Sequence, residues 1–237
     1  KANKIKGLIF DKDGTLFDFA TTWETWAQAF LRRLCEGDIA LSKQVGTAIG
    51  FDFEAARFAR DSIVIAGTPL EVATVLLPYF PALKVPEILS ILNNEAEKAP
   101  QAEAVPLVPL LTNFRDRGLN LGVATNDAEV PVLAHLQAAK VTGFFDFIAG
   151  SDSGYGGKPE AGQLLAFAKT IQIEPRHIAM IGDSTHDLRA GRAAGMHTVA
   201  VLTGLATAQE LTPLADVVLP DIGHLPEWLD AQEAEAT

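Results

Sequence analysis

Residues 8–16 read Leu-Ile-Phe-Asp-Lys-Asp-Gly-Thr-Leu, an apolar run that stops at two carboxylates, Asp11 and Asp13, followed by Gly14 and Thr15. If the run is a strand, the carboxylates emerge at its carboxyl end, where open α/β sheets bind ligands. Two acids this close repel each other unless a cation lies between them or one of them holds a proton. The segment thus suits a Mg²⁺ site, or a division of labour between a nucleophile and an acid/base. The plain structural reading is a buried strand ended by an Asp-Gly turn.

The surrounding pattern says what kind of sheet this strand would join. From Val105 onward, helical and strand texture alternate. Helical spacing covers 106–117, 129–139, 160–171 and 187–194, with a short turn at 210–214. Strand texture covers 120–124, 144–149, 177–181, 197–202 and 216–219. Such alternation predicts an α/β fold with a parallel, doubly wound sheet. Residues 18–104 break the alternation. Apolar residues at helical spacing (Trp23, Trp26, Ala27, Phe30, Leu31, Leu34) predict a helix over 19–36. Further helices are expected at 42–49, 53–62, 69–79 and 86–99, with Thr68 and Pro69 as N-cap and first-turn residue. The expected organisation is a core made of 1–17 and 105–237, with an all-helical cap domain, 18–104, inserted after the first strand.

The formal charge of −11 argues against nucleic acid as a partner. It leaves an anionic substrate open, because a local cation or metal can reverse the sign inside a cleft. One cysteine, Cys35, permits no internal disulfide, and there is no membrane-length apolar run or basic-then-apolar opening. A cytoplasmic protein with no membrane partner is expected. The acidic end after Leu229 is expected to fray.

Four polar clusters fall at or after the carboxyl ends of four expected strands: Asp11 and Asp13, then Thr125 and Asn126, then Lys158, then Asp183 and Asp187. In a parallel sheet these ends share one edge, so the clusters can converge. Taken singly, each has a structural explanation. Thr125-Asn126-Asp127 suits a helix N-cap, Lys158 a solvated loop lysine, and Asp183 and Asp187 a cap and a first-turn acid. Taken together, the four aspartates offer oxygen ligands for a hard cation. Thr125, Asn126 and Lys158 offer a hydroxyl, an amide and a fixed charge for phosphoryl oxygens. His186 is the one histidine nearby, and a zinc site is not indicated.

This set resembles the haloacid dehalogenase superfamily of phosphohydrolases. Its first motif, DxDGT plus an apolar residue, matches residues 11–16. The Ser/Thr motif matches Thr125, the Lys before Pro matches Lys158-Pro159, and GDxxxD, which has a residue to spare in some members, matches residues 182–187. The helical insert resembles the cap of phosphoglycolate-phosphatase-like and β-phosphoglucomutase-like members. The resemblance implies that Asp11 is the nucleophile and Asp13 the general acid and base. It implies a Mg²⁺ site made of Asp11, Asp13 (through its backbone carbonyl), Asp183 and Asp187. It implies phosphate binding by Thr125, Asn126 and Lys158, and a small-molecule phosphate ester as substrate.

A phosphomutase, which returns the phosphoryl group to a bound sugar, is the rival reading, and a phosphate-binding module without catalysis is a third. A dehalogenase would leave Asp13 without a task. A signalling receiver would carry its acceptor Asp after a later strand, on a shorter chain. Phe17 and Phe19 offer an apolar gate or a packed hinge. Substrate choice is expected from the cap, at 17–23 and 46–57, with Arg57 either an anion ligand or a surface residue. Cys35 and the two tryptophans read as structural.

Overall fold

The computed structural model describes residues 4–236. Strand β1 (Gly7–Phe10) opens the chain. A mostly helical insert follows: α1 (Ala20–Leu34), α2 (Ile39–Ala48), a hairpin of β2 (Phe51–Asp52) and β3 (Arg57–Phe58), then α3 (Ile63–Ala66), α4 (Pro69–Leu76) and α5 (Val85–Lys98). The alternating half runs α6 (Leu107–Asp116), β4 (Asn120–Ala124), α7 (Glu129–Ala138), β5 (Phe147–Ala149), α8 (Gly162–Ile171), β6 (Ile178–Gly182) and α9 (Thr185–Ala194). It ends with β7 (His197–Val201), α10 (Ala208–Leu211), β8 (Val217–Leu219) and α11 (Leu225–Ala236).

The six longer-range strands form one parallel sheet in the order β5-β4-β1-β6-β7-β8. β1 therefore sits where the winding reverses, and this is where ligands bind in such sheets. Its residues are buried on both sides, as expected of a strand covered by helices on each face. Leu8 and Phe10 pack with Leu111 and Phe114 of α6, Leu136 of α7 and Trp228 of α11. Ile9 packs the other way, with Phe167 of α8 and Ala190 of α9. Register places the site. Phe10 pairs with Val123 and Ile181, so Asp11 stands level with the ends of β4 and β6.

The insert buries its own apolar cluster, centred on Trp26, Phe30, Leu31, Leu76 and Ile88. Its entering and leaving segments are tied together. The Asp18 N–H donates to the Ala102 carbonyl at 2.7 Å and the Ala104 N–H to the Leu16 carbonyl at 2.9 Å. Thr68 caps α4 as expected, accepting from the Glu71 N–H with Pro69 behind it.

Two expectations fail. The helix over 53–62 is replaced by the β2–β3 hairpin and the short α3. The Asp52 carboxylate accepts from the Glu54 and Ala55 N–H groups, and Ala56 turns left-handed at φ 55°. Phe51 and Phe58 then face each other across the strands, ring centroids 4.8 Å apart. Their burial outweighs local helix propensity. The acidic end does not fray after Leu229. α11 runs to Ala236 because its good helix formers continue from Trp228 and Leu229, both buried against the sheet. Thr237 and residues 1–3 lie outside the described residues. No helix among the described residues is long and apolar enough to cross a membrane.

Candidate active site

The four clusters meet at the carboxyl edge of the sheet. Lys158, in the loop after β5, places its ammonium 2.8 Å from Asp11 Oδ1, 2.7 Å from Asp187 Oδ1 and 2.7 Å from the Ala124 carbonyl. Its three donors are thereby spent on three acceptors. The ammonium is nearly inaccessible. Burial works against its charge, but Asp11 and Asp187 outweigh burial and hold its pKa above the ordinary lysine value. The Asn126 side chain grips the peptide of the same lysine from both ends. Its Oδ1 accepts from the Lys158 N–H at 2.7 Å, and its Nδ2 donates to the Lys158 carbonyl at 2.9 Å.

Asp11, Asp183 and Asp187 each bring a carboxylate oxygen to within 4.8 Å of the others. Burial first, then the charges of Asp11 and Asp187, push the Asp183 carboxyl well above the usual carboxylate range. Burial and Asp11 also raise Asp187, against the pull of Lys158. Buried carboxylates crowded in this way, all with oxygen donors, fit a hard divalent cation. Asp187 is also the third residue of α9. Its Oδ2 accepts from the N–H groups of Asp183 and Ser184, both at 3.1 Å, and from Ser184 Oγ. The Asp187 N–H in turn donates to Ser184 Oγ, closing a capping box.

The glycines here give way to carboxylates. Gly14, at φ 82°, lies under the Asp183 carboxylate, which a Cβ there would overlap. A Cβ at Gly204 would overlap the same carboxylate. Thr15 Oγ1 donates to Asp183 Oδ1 at 3.1 Å, and Thr203 Oγ1 donates to the Gly14 carbonyl. Thr125 is buried, and its Oγ1 accepts from the Asp127 N–H at 3.0 Å, which leaves the hydroxyl hydrogen for a ligand. Gln163 fixes the same loop by donating to the Thr125 and Gly150 carbonyls.

Asp13 sits on the other side of Asp11. Its carboxyl is raised to about 6, by burial first and by Asp127 and Asp11 besides, while Lys12 pulls it down. Its Oδ1 is buried without a hydrogen-bond partner. A carboxyl near 6 at this edge suits proton transfer.

Over these groups lies a cleft of about 90 Å³. Its floor holds the seven residues named from the sequence, joined by Asp127, Ser184 and His186. Its roof is apolar: Phe19, Trp23 and Trp26 from the start of the insert and α1, Val72 from α4 and Leu92 from α5, with Thr68 beside them. The two tryptophans thus serve both the core of the insert and the cleft wall. Phe17 is buried in the sheet core, so it packs the hinge and gates nothing. Residues 46–57, including the exposed Arg57, do not line the cleft. The β2–β3 turn carries Arg57 to a separate shallow surface. The sequence reading missed Lys12, His135, Gln163 and Gly204. Only Lys12 left a signal, as a lone cation between two aspartates on a buried strand.

The haloacid dehalogenase-like hydrolase family model matches residues 8–201. The chain belongs to this family. Relatives of the chain include the phosphoglycolate phosphatase of Nitrosospira multiformis, 28% identical over 223 residues and 92% of each chain. Another is that of Rhodospirillum rubrum, 29% identical over 94% of this chain and 90% of its own. Among solved structures of the fold, CbbY from Rhodobacter sphaeroides in complex with phosphate superposes with a TM-score of 0.68. It is 20% identical and covers 93% of this chain and 96% of that one.

Proposed function

We propose that the chain is a Mg²⁺-dependent phosphatase that hydrolyses a small phosphorylated metabolite through an aspartyl-phosphate on Asp11. The observation that carries this reading is the contrast between the neighbours Asp11 and Asp13. Asp11 faces the Lys158 ammonium at 2.8 Å, whereas Asp13 is held near 6. One carboxylate is paired with a fixed cation and placed for attack, and the other is available to hold a proton.

In the first step an Asp11 oxygen bonds to phosphorus while the bond from phosphorus to the leaving oxygen breaks. Asp13 gives its proton to that oxygen. In the second step Asp13, now a carboxylate, takes a proton from water as the water oxygen attacks phosphorus, and Asp11 is released. Thr125 binds a phosphoryl oxygen through its free hydroxyl hydrogen, and Lys158 takes another by exchanging one of its three protein acceptors for it. Asn126 contributes by fixing the Lys158 peptide. Asp11, Asp183 and the Asp13 backbone carbonyl would hold Mg²⁺, with Asp187 completing the acidic group; the ion would supply charge neutralisation on the phosphoryl group. Residues 18–104 act as the cap that excludes water and selects the leaving group.

The relatives' named substrate, phosphoglycolate, carries a carboxylate. Among the described residues, the cap wall of the cleft presents aromatic and aliphatic side chains and the Thr68 hydroxyl, with no cation. The decisive experiment is phosphate release from a metabolite panel, with and without Mg²⁺. The panel sets phosphoglycolate against sugar phosphates and phosphates of uncharged alcohols. Release that needs Mg²⁺ and disappears in Asp11→Asn supports the reading. Turnover that survives EDTA removes the metal, and isomerisation of a sugar phosphate without release makes the chain a mutase.

A further inference from the structure

Lys12 is wholly buried and has no part in the chemistry above. Its ammonium meets three acceptors: Asp127 Oδ2 at 3.0 Å, Asp13 Oδ2 at 3.3 Å and His135 Nδ1 at 2.7 Å. It also lies 5.3 Å from the centre of the Trp23 ring, on α1 of the insert. A lysine donates and cannot accept, so His135 Nδ1 is the unprotonated nitrogen. The other ring nitrogen, Nε2, then carries the hydrogen and donates to the Ala96 carbonyl of α5 at 2.8 Å. The chain of contacts thus runs from the Asp13 carboxylate through Lys12 and His135 to the insert.

An isolated buried ammonium is costly, and a solvated or apolar residue would serve a plain strand end better. What Lys12 does here is geometric. Asp13 Oδ1 makes no well-formed hydrogen bond, so beyond the Trp23 indole it is the Lys12 ion pair on Oδ2 that orients the carboxyl group. We propose that Lys12 is a positioning residue for Asp13, and that His135 seats it by anchoring it to helix α5. This rests on Asp13 being the acid/base.

The test is steady-state kinetics of Lys12→Met on two Mg²⁺-supported substrates, p-nitrophenyl phosphate and an alkyl phosphate. Proton donation matters little for the first leaving group and greatly for the second. The expected result is a fall in kcat of at least about tenfold for the alkyl ester, a much smaller fall for the aryl ester, and KM nearly unchanged for both. His135→Phe keeps the ring and the direct Lys12–Asp13 contact, so it should show the same pattern at roughly a third of the size. An equal loss on both esters, a loss confined to KM, or full activity in folded Lys12→Met overturns the proposal. If Lys12→Met does not fold because Asp127 is left unpaired, Lys12→Met/Asp127→Asn removes both charges and is read by the same ratio. Asp13→Asn separates the two ideas. If it shows no leaving-group dependence, the acid/base reading fails; if it does and the Lys12 variants do not, only the positioning role fails.

Discussion

Two buried lysines flank Asp11, and they are built alike but tied to different parts of the molecule. Each spends its ammonium on three acceptors. Lys158 is held by the sheet edge itself, through Asp11, Asp187 and the carbonyl that ends β4. Lys12 faces the other way and reaches the insert, through Trp23 on α1 and through His135 to α5. The difference teaches that a buried cation's role follows from what holds it. A cation anchored to the sheet edge holds Asp11 through contacts that involve no residue of the cap. A cation anchored partly to the cap brings Asp13 under the cap's geometry.

Three measurements would break or sharpen this contrast. The largest effect is expected for Lys158→Met, a loss of kcat on the order of 10³, similar for good and poor leaving groups because charge stabilisation is lost in every case. A leaving-group dependence like that expected of Lys12→Met would erase the distinction between the two lysines. Next comes Gly204→Ala, whose Cβ would displace the Asp183 carboxylate. The Mg²⁺ concentration for half-maximal activity should rise roughly 10–100-fold while Asp13-dependent behaviour stays intact. Unaltered Mg²⁺ dependence would take Asp183 out of the metal site.

The smallest effect concerns the Lys12 side and stability. His135 is pushed down to about 4, by burial first and by Lys12 second. Its folded pKa is below the unfolded value. Its contribution to stability is therefore complete above about pH 6.5 and is lost as pH falls toward 4. His135→Phe should narrow the gap in unfolding free energy between about pH 7 and about pH 4.5 by roughly 2–3 kcal/mol, measured by urea denaturation. An unchanged gap would mean that the imidazole is not held neutral by its burial and Lys12.

Much of this was legible in the chain. The α/β alternation, the interruption after β1 and the convergence of Asp11, Asp13, Thr125, Asn126, Lys158, Asp183 and Asp187 all follow from residues adjacent in sequence to strand ends. Parallel register then carries those residues to one edge. The hairpin at 51–58 was not legible, because Phe51 and Phe58 gain their burial only once paired. The helical end after Leu229 was misread for a related reason. Its stability comes from Trp228 and Leu229 docking on the sheet, which composition does not reveal.

Sequence alone determined which groups stand at the site, because a strand's last residue and the loop after it are fixed by local pattern. Tertiary structure decided what each group is paired with. Asn126 could be assigned to phosphate from its position, yet its amide closes on the Lys158 peptide. Arg57 could be assigned to the substrate, yet a left-handed turn takes it elsewhere. Lys12 gave a charge without a partner until α7 brought His135, 123 positions away, to within 2.7 Å. Hydrogen bonds and ion pairs act over a few ångströms, and which distant side chains come that close is set by packing, which no local pattern encodes.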